Sequence, residues 1–113
     1  MTKFLTTQTG QKLAYSFTKG TGPTVVFLGG FKSDMEGSKA IFLEKWAKKR
    51  NRSFLRFDYS GHGQSSGNFL NLGIGDWCND AKQIIELTEN NRIILIGSSM
   101  GGWISLLLSR ELG

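Results

Sequence analysis

The sequence predicts an α/β fold, a doubly wound sheet entered through an antiparallel hairpin and continued by parallel strands with flanking helices. Apolar runs of strand length alternate with amphipathic stretches of helix length, and the strand-like runs end on turns rich in glycine or serine. The central runs show no polar alternation, as expected of strands covered on both faces, which is how parallel sheets are built.

Residues 3–8 and 12–18 alternate between polar and apolar, and Thr9-Gly10 separates them as a turn. They predict the hairpin, which ends at Gly20-Thr21-Gly22-Pro23. Thr24 to Leu28 is a β-branched and aromatic run stopped by Gly29-Gly30, the first central strand. Gly37-Ser38 offers a cap for a helix from Lys39 to Lys49, with Phe42, Leu43, Trp46 and Ala47 on its packing face. Ser53 to Tyr59 is the next strand and runs into the turn-rich segment Ser60 to Gly67. From Gly75 to Glu89, Trp77, Ala81, Ile84, Ile85 and Thr88 fall on one helical stripe, closed by Asn90-Asn91. Arg92 to Ile96 is a third buried strand, and Met100 to Leu112 is a helix apolar nearly all round.

With 113 residues, 39% hydrophobic and 20% charged, the chain reads as one soluble globular unit. No apolar stretch approaches the roughly 20 residues of a bilayer-spanning helix, and no leader is recognised, so no membrane span is expected. Cys78 is the only cysteine, which excludes an internal disulfide framework and favours a reducing, cytoplasmic setting. No metal and no cofactor is expected. The net charge of +5 gathers at Lys45, Lys48, Lys49, Arg50 and Arg52, in and just beyond the last turn of the first helix, where cations oppose the negative end of its dipole. Exposed aromatics do not interleave with them as in a nucleic-acid groove, so nucleic acid is not an expected partner.

The strand-like run Ile93 to Ile96 passes directly into Gly97-Ser98-Ser99-Met100-Gly101, and an apolar helix follows. Gly-x-Ser-x-Gly alone arises by chance about 0.2 times at this glycine and serine content, so its weight comes from the strand before and the helix after. A serine hydroxyl is a weak nucleophile, and an enzyme using one must expose it beside a base and near donors for an oxyanion. A sharp turn from strand to helix exposes it, provided the residues two before and two after are small, as Gly97 and Gly101 are. Ser99 is therefore the expected nucleophile, and the Met100 backbone N–H one oxyanion donor. Ser98 is not centred between glycines, and a support role is expected of it. A phosphate-binding loop would need a lysine before its hydroxyl residue, and this turn has none. An anion cradle would need basic residues beside it, and Lys32 is the only candidate.

Gly29-Gly30-Phe31 ends the first central strand at the same sheet edge, and the Phe31 N–H is the expected second donor. His62 is the only histidine. Hydrolases of this type order their triad serine, acid, histidine, so a histidine ahead of the serine is expected to serve its own loop, framed by Gly61 and Gly63. Asp58 is expected to bond loop amides.

Phe27-Leu28-Gly29-Gly30-Phe31, Ser33, Met35, Gly37 and Lys39-Ala40, then Arg56 to Gly61, then Gly97 to Trp103 resemble one branch of the α/β hydrolases. That branch holds palmitoyl-protein thioesterases and acyl-glucuronide esterases together with bacterial relatives. The resemblance implies the N-terminal half of an α/β-hydrolase sheet. It also implies cleavage of a carboxylic ester or thioester, in a small molecule or an acylated protein, through an acyl-enzyme on Ser99. In the family the acid and the histidine come from later strands, whereas here only Glu111 follows Ser99 as an acid and no histidine does. Residues 1–113 are thus expected to be the N-terminal portion of a single α/β-hydrolase domain, truncated before the acid and histidine. A second chain carrying the C-terminal half is the partner that would complete it. The alternative is a catalytically inactive truncated or split-gene remnant.

Overall fold

The hairpin strands are β1 (Lys3–Thr6) and β2 (Lys12–Thr18), followed by β3 (Thr21–Leu28), α1 (Ser38–Lys49), β4 (Arg52–Phe57), α2 (Ile74–Glu86), β5 (Ile93–Gly97) and α3 (Met100–Leu112). The computed structural model describes residues 2–88 and 92–112, the side chains of Glu111 and Leu112 excepted. α2 ends at Glu86 with Leu87 as its C-cap, short of the expected end at Glu89, while Asn90-Asn91 and the Glu111 carboxylate lie outside the described residues.

The five strands form one sheet in the order β1-β2-β4-β3-β5. β2 is antiparallel to β1 and β4, whereas β3 is parallel to both β4 and β5. From β3 the chain crosses to β4 on one side and then back over β3 to β5 on the other. Right-handed crossovers in opposite directions put their helices on opposite faces. Val25, Phe27 and Phe54 accordingly pack under α1 against Ala40 and Ala47. Val26, Leu28 and Leu55, one residue out of phase, meet Trp77, Ala81 and Ile84 of α2 and Ile104 and Leu108 of α3. The loops leaving β3 and β5 therefore diverge to opposite faces, and such a divergence opens a crevice at the C-terminal ends of the strands.

The structure corrects several local expectations. β3 begins at Thr21, inside the segment read as the end of the hairpin, and its register against β4 shifts between Thr21 and Val25. β4 stops at Phe57, so Asp58 and Tyr59 already belong to the following loop. No side chain caps α1; Gly37 is its N-cap and Ser38 its first residue. Phe42 is 70% exposed and Trp46 lies under the Arg50 guanidinium, while Ala40, Glu44 and Ala47 face inward. On that inward face Glu44 meets a charged residue of β4, described below. β5, expected as a buried strand, lies at the edge of the described sheet with Ile94 44% exposed. A single 3₁₀ turn at Phe69–Asn71 was not anticipated. No described helix is long and apolar enough to cross a membrane.

Candidate active site

Between β5 and α3 the chain turns within two residues. Ser98 N–H continues the sheet by donating to the Leu28 carbonyl at 3.0 Å, and Gly101 and Gly102 N–H then donate to Ser98 and Ser99 carbonyls at 2.9 Å each. Ser99 sits at the bend with φ 54°, a left-handed conformation that side chains disfavour, and it is exposed. The flanking glycines leave no room for anything larger. A Cβ on Gly97 would overlap the Gly101 carbonyl, and one on Gly101 would overlap the Leu28 carbonyl. Strand and helix touch backbone to backbone here, which forces the bend and lifts Ser99 out of it.

The segment 29–37 passes directly over this turn: a Cβ on Gly30 would come within 3.4 Å of the Ser99 Cβ. Its path is set almost wholly from β4 and the loop after it. Tyr59 Oη donates to the Gly29 carbonyl at 3.0 Å, and His62 Nε2 accepts the Lys32 N–H at 3.1 Å. Asp58 Oδ1 accepts the Met35 N–H at 2.7 Å, and Arg56 donates to the Met35 carbonyl at 3.1 Å. Neither the Phe31 nor the Met100 N–H is bonded to another group among the described residues. The first N–H groups of any helix lack an intrahelical acceptor, so Met100 is available by position.

Arg56 is 8% exposed in the middle of the sheet and holds Glu44 of α1 and Glu36 at 3.0 Å each. Burial works against its charge, but the two carboxylates more than offset that and raise its pKa. Burial raises the Asp58 carboxyl above its ordinary value, against the pull of the Gln64 and Met35 amides. Burial likewise raises Asp80, whose Oδ2 accepts both the amide and the hydroxyl of Ser60 at 2.8 and 2.6 Å.

These two carboxylates should respond differently to amide substitution. Asp58 uses both oxygens as acceptors, for Met35 and Gln64, so Asp58→Asn turns an NH₂ against one N–H and is expected to lower stability by about 1–3 kcal/mol. Asp80→Asn keeps an oxygen for Ser60 and should be close to neutral. A carboxyl whose native pKa is raised favours the fold below its unfolded pKa and loses that contribution as pH rises through the native value. Asp80→Asn should therefore compare best with the parent at neutral pH and lose ground on acidification, as urea melts at several pH values would record.

Comparison with known proteins places the chain in a family. A family model described as serine aminopeptidase, S33, matches residues 21–112. The chain belongs to this family of α/β hydrolases. The S33-family chain is 42% identical over 94 residues to palmitoyl-protein thioesterase ABHD10, mitochondrial, of Rattus norvegicus, a match covering 83% of this chain and 32% of the relative. It thus spans about a third of the length of the curated relatives it matches. Alpha/beta hydrolase domain-containing protein 10 from mouse superposes with a TM-score of 0.93 at 38% identity, over 96% of this chain and 44% of that one. A solved protein from Agrobacterium vitis S4 superposes at 0.92 with 36% identity, over 98% and 45%.

Of the residues singled out in the S33-family sequence, Gly97, Ser99, Met100 and Gly101 share the bend, and the loop carrying Phe31 lies over it. Ser98 turns away toward α1, where Lys39 Nζ donates to its hydroxyl at 3.1 Å. His62 is 3% exposed with both ring nitrogens engaged. Sequence reasoning missed Arg56, Tyr59 and Lys39 as supports of the site. A charged residue inside an otherwise apolar strand was the available signal for Arg56, since such residues are buried only when paired.

Proposed function

We propose that this chain carries the nucleophile half of a serine hydrolase for carboxylic esters or thioesters, with Ser99 as nucleophile and the Phe31 and Met100 N–H groups as oxyanion donors. The observation that carries the reading is Ser99 itself: an exposed hydroxyl at φ 54° on a strand-to-helix bend, between two glycines whose neighbours admit no Cβ. Its Oγ attacks the acyl carbon and gives up its proton to a base. The carbonyl oxygen becomes the oxyanion that the two amides meet, and collapse expels an alcohol or thiol and leaves an ester on Ser99. Water then releases the acid. The substrate class, acylated small molecules or acylated proteins, is supported by likeness to a relative named as a palmitoyl-protein thioesterase.

On this reading residues 1–113 are the N-terminal portion of one hydrolase domain. The base and acid come from sequence beyond Ser99, on the same polypeptide or on a second chain. A specific observation favours a second reading for the 113 residues by themselves. Both nitrogens of His62 are occupied and no histidine lies between Ser99 and Gly113, so residues 1–113 taken alone bring no histidine base to the hydroxyl and would act as a catalytically inactive remnant. Loss of a triad member leaves only the oxyanion hole and binding, about 10³ to 10⁴ over water. The buried Cys78, alone in the sequence, supports a reducing, cytoplasmic setting.

Labelling with a fluorophosphonate tests the assignment. Slow labelling is expected of the parent chain and none of Ser99→Ala, with a matching loss of any hydrolysis of a short-chain thioester. A label that persists in Ser99→Ala would place the nucleophile elsewhere.

A further inference from the structure

Phe31 lies between two peptide groups that are both held. On its N-terminal side, the Gly30 carbonyl accepts from the Ser33 N–H at 3.2 Å and the Ser33 hydroxyl at 2.7 Å. In a trans peptide the N–H points opposite to the carbonyl, so fixing Gly30 O fixes the direction of the Phe31 N–H. On its C-terminal side, Lys32 stands at φ 61°, which a lysine does not hold without help, and its N–H donates to His62 Nε2.

The His62 ring can do this in one form only. Nε2 accepts from an amide, so it bears no proton, and Nδ1 lies 3.1 Å from the Ser60 carbonyl, which can only accept. Both contacts demand the neutral ring with its proton on Nδ1. The ring is closed in edge-on by Tyr59, Phe69 and Trp77, with centroids 5.4, 5.3 and 5.0 Å away. Its acceptor is fixed in turn: Trp77 Nε1 donates to the same Ser60 carbonyl at 2.9 Å, and Asp80 holds the Ser60 amide and hydroxyl. A line of hydrogen bonds thus runs from Asp80 on α2 through Ser60 and His62 to the backbone beside Phe31.

We propose that His62 is a positioning residue for catalysis, which as the neutral Nδ1–H tautomer holds the Lys32 amide and thereby fixes the loop that carries the Phe31 oxyanion donor. The assignment rests on the reading of Phe31 as that donor. It gives the one histidine of the chain a task other than proton transfer.

Because His62 is the sole histidine of residues 1–113, ¹⁵N-histidine labelling of this 113-residue chain yields one pair of ring signals to read. A protonated Nδ1 and a bare Nε2 are expected at neutral pH; the opposite tautomer, or a ring averaging between the two, would overturn the proposal. Rates of fluorophosphonate labelling at Ser99 supply the second arm, with each variant's fold checked by circular dichroism. His62→Gln can place an acceptor near the Nε2 position, whereas His62→Asn reaches only the Ser60 side. His62→Asn is expected to slow labelling about 10²-fold, as for loss of one oxyanion donor, and His62→Gln to restore much of it. Equal losses in the two variants, or none, would reduce His62 to a packing residue. If the parent chain takes no Ser99-dependent label, the reading of Ser99 falls and this one with it. If the parent labels and His62→Asn keeps pace, only the role of His62 falls.

Discussion

Gly101→Ala is expected to abolish the native fold, or to lower its stability by more than about 4 kcal/mol, the range reserved for severe core and backbone conflicts. The added methyl would overlap the Leu28 carbonyl oxygen and stand 2.6 and 2.7 Å from Leu28 C and Gly29 O. These are backbone atoms of a central strand, with no rotamer to yield. Relief requires α3 to lift off the sheet, which strips Ile104 and Leu108 from the core they share with Val26 and Leu28. Domains of this size are stable by only about 5–15 kcal/mol, so little would remain. Gly102→Ala is the matched control. Its Cβ would find nothing nearer than the Gly97 carbonyl at 3.9 Å, and alanine in place of glycine inside a helix contributes about 0.8–1 kcal/mol. Urea melts followed by tryptophan fluorescence should separate the two by several kcal/mol. Coincident melts would mean that strand and helix do not meet at Gly101.

Arg56→Leu should be the next most damaging change. It leaves Glu44, 8% exposed, facing leucine with only Lys48 at 3.8 Å in partial compensation, and it removes the donor to the Met35 carbonyl. Removing one member of a buried ion pair costs about 3–5 kcal/mol, mostly because the survivor stays buried and charged, while replacing both members by apolar residues is often near neutral. The double variant Arg56→Leu, Glu44→Leu should therefore recover most of the stability that the single change loses. A double-mutant cycle in urea would measure that recovery directly, and strictly additive losses would show that the pair is uncoupled. The two variants should nevertheless share one defect. Both release Met35 and Glu36 from β4, so both should label more slowly at Ser99 than the parent.

The layered sheet was legible because its signals are local. The run Thr24 to Leu28 and the stripe Trp77, Ala81, Ile84, Ile85 carry their periods on their faces, and the structure places both as expected. The bend at Ser99 was equally legible, since the need for glycine two residues to each side follows from how close strand and helix approach. α1 misled because its larger side chains, Phe42 and Trp46, outweighed small ones in any reading of apolar period. The face that packs carries Ala40, Ala47 and a glutamate selected by Arg56, a partner 12 residues away. The same limit hid most of the site's scaffolding. Tyr59 and His62 reach across 30 residues to Gly29 and Lys32, and no spacing within either segment announces such a bond.

Among the described residues, every long-range hydrogen bond on the segment over Ser99 starts from one short stretch, Arg56 to His62. The two segments consequently form a single structural unit. A relative's 29–37 grafted alone into this chain would arrive without its own anchors, so differences in this region between family members should be exchanged as matched pairs.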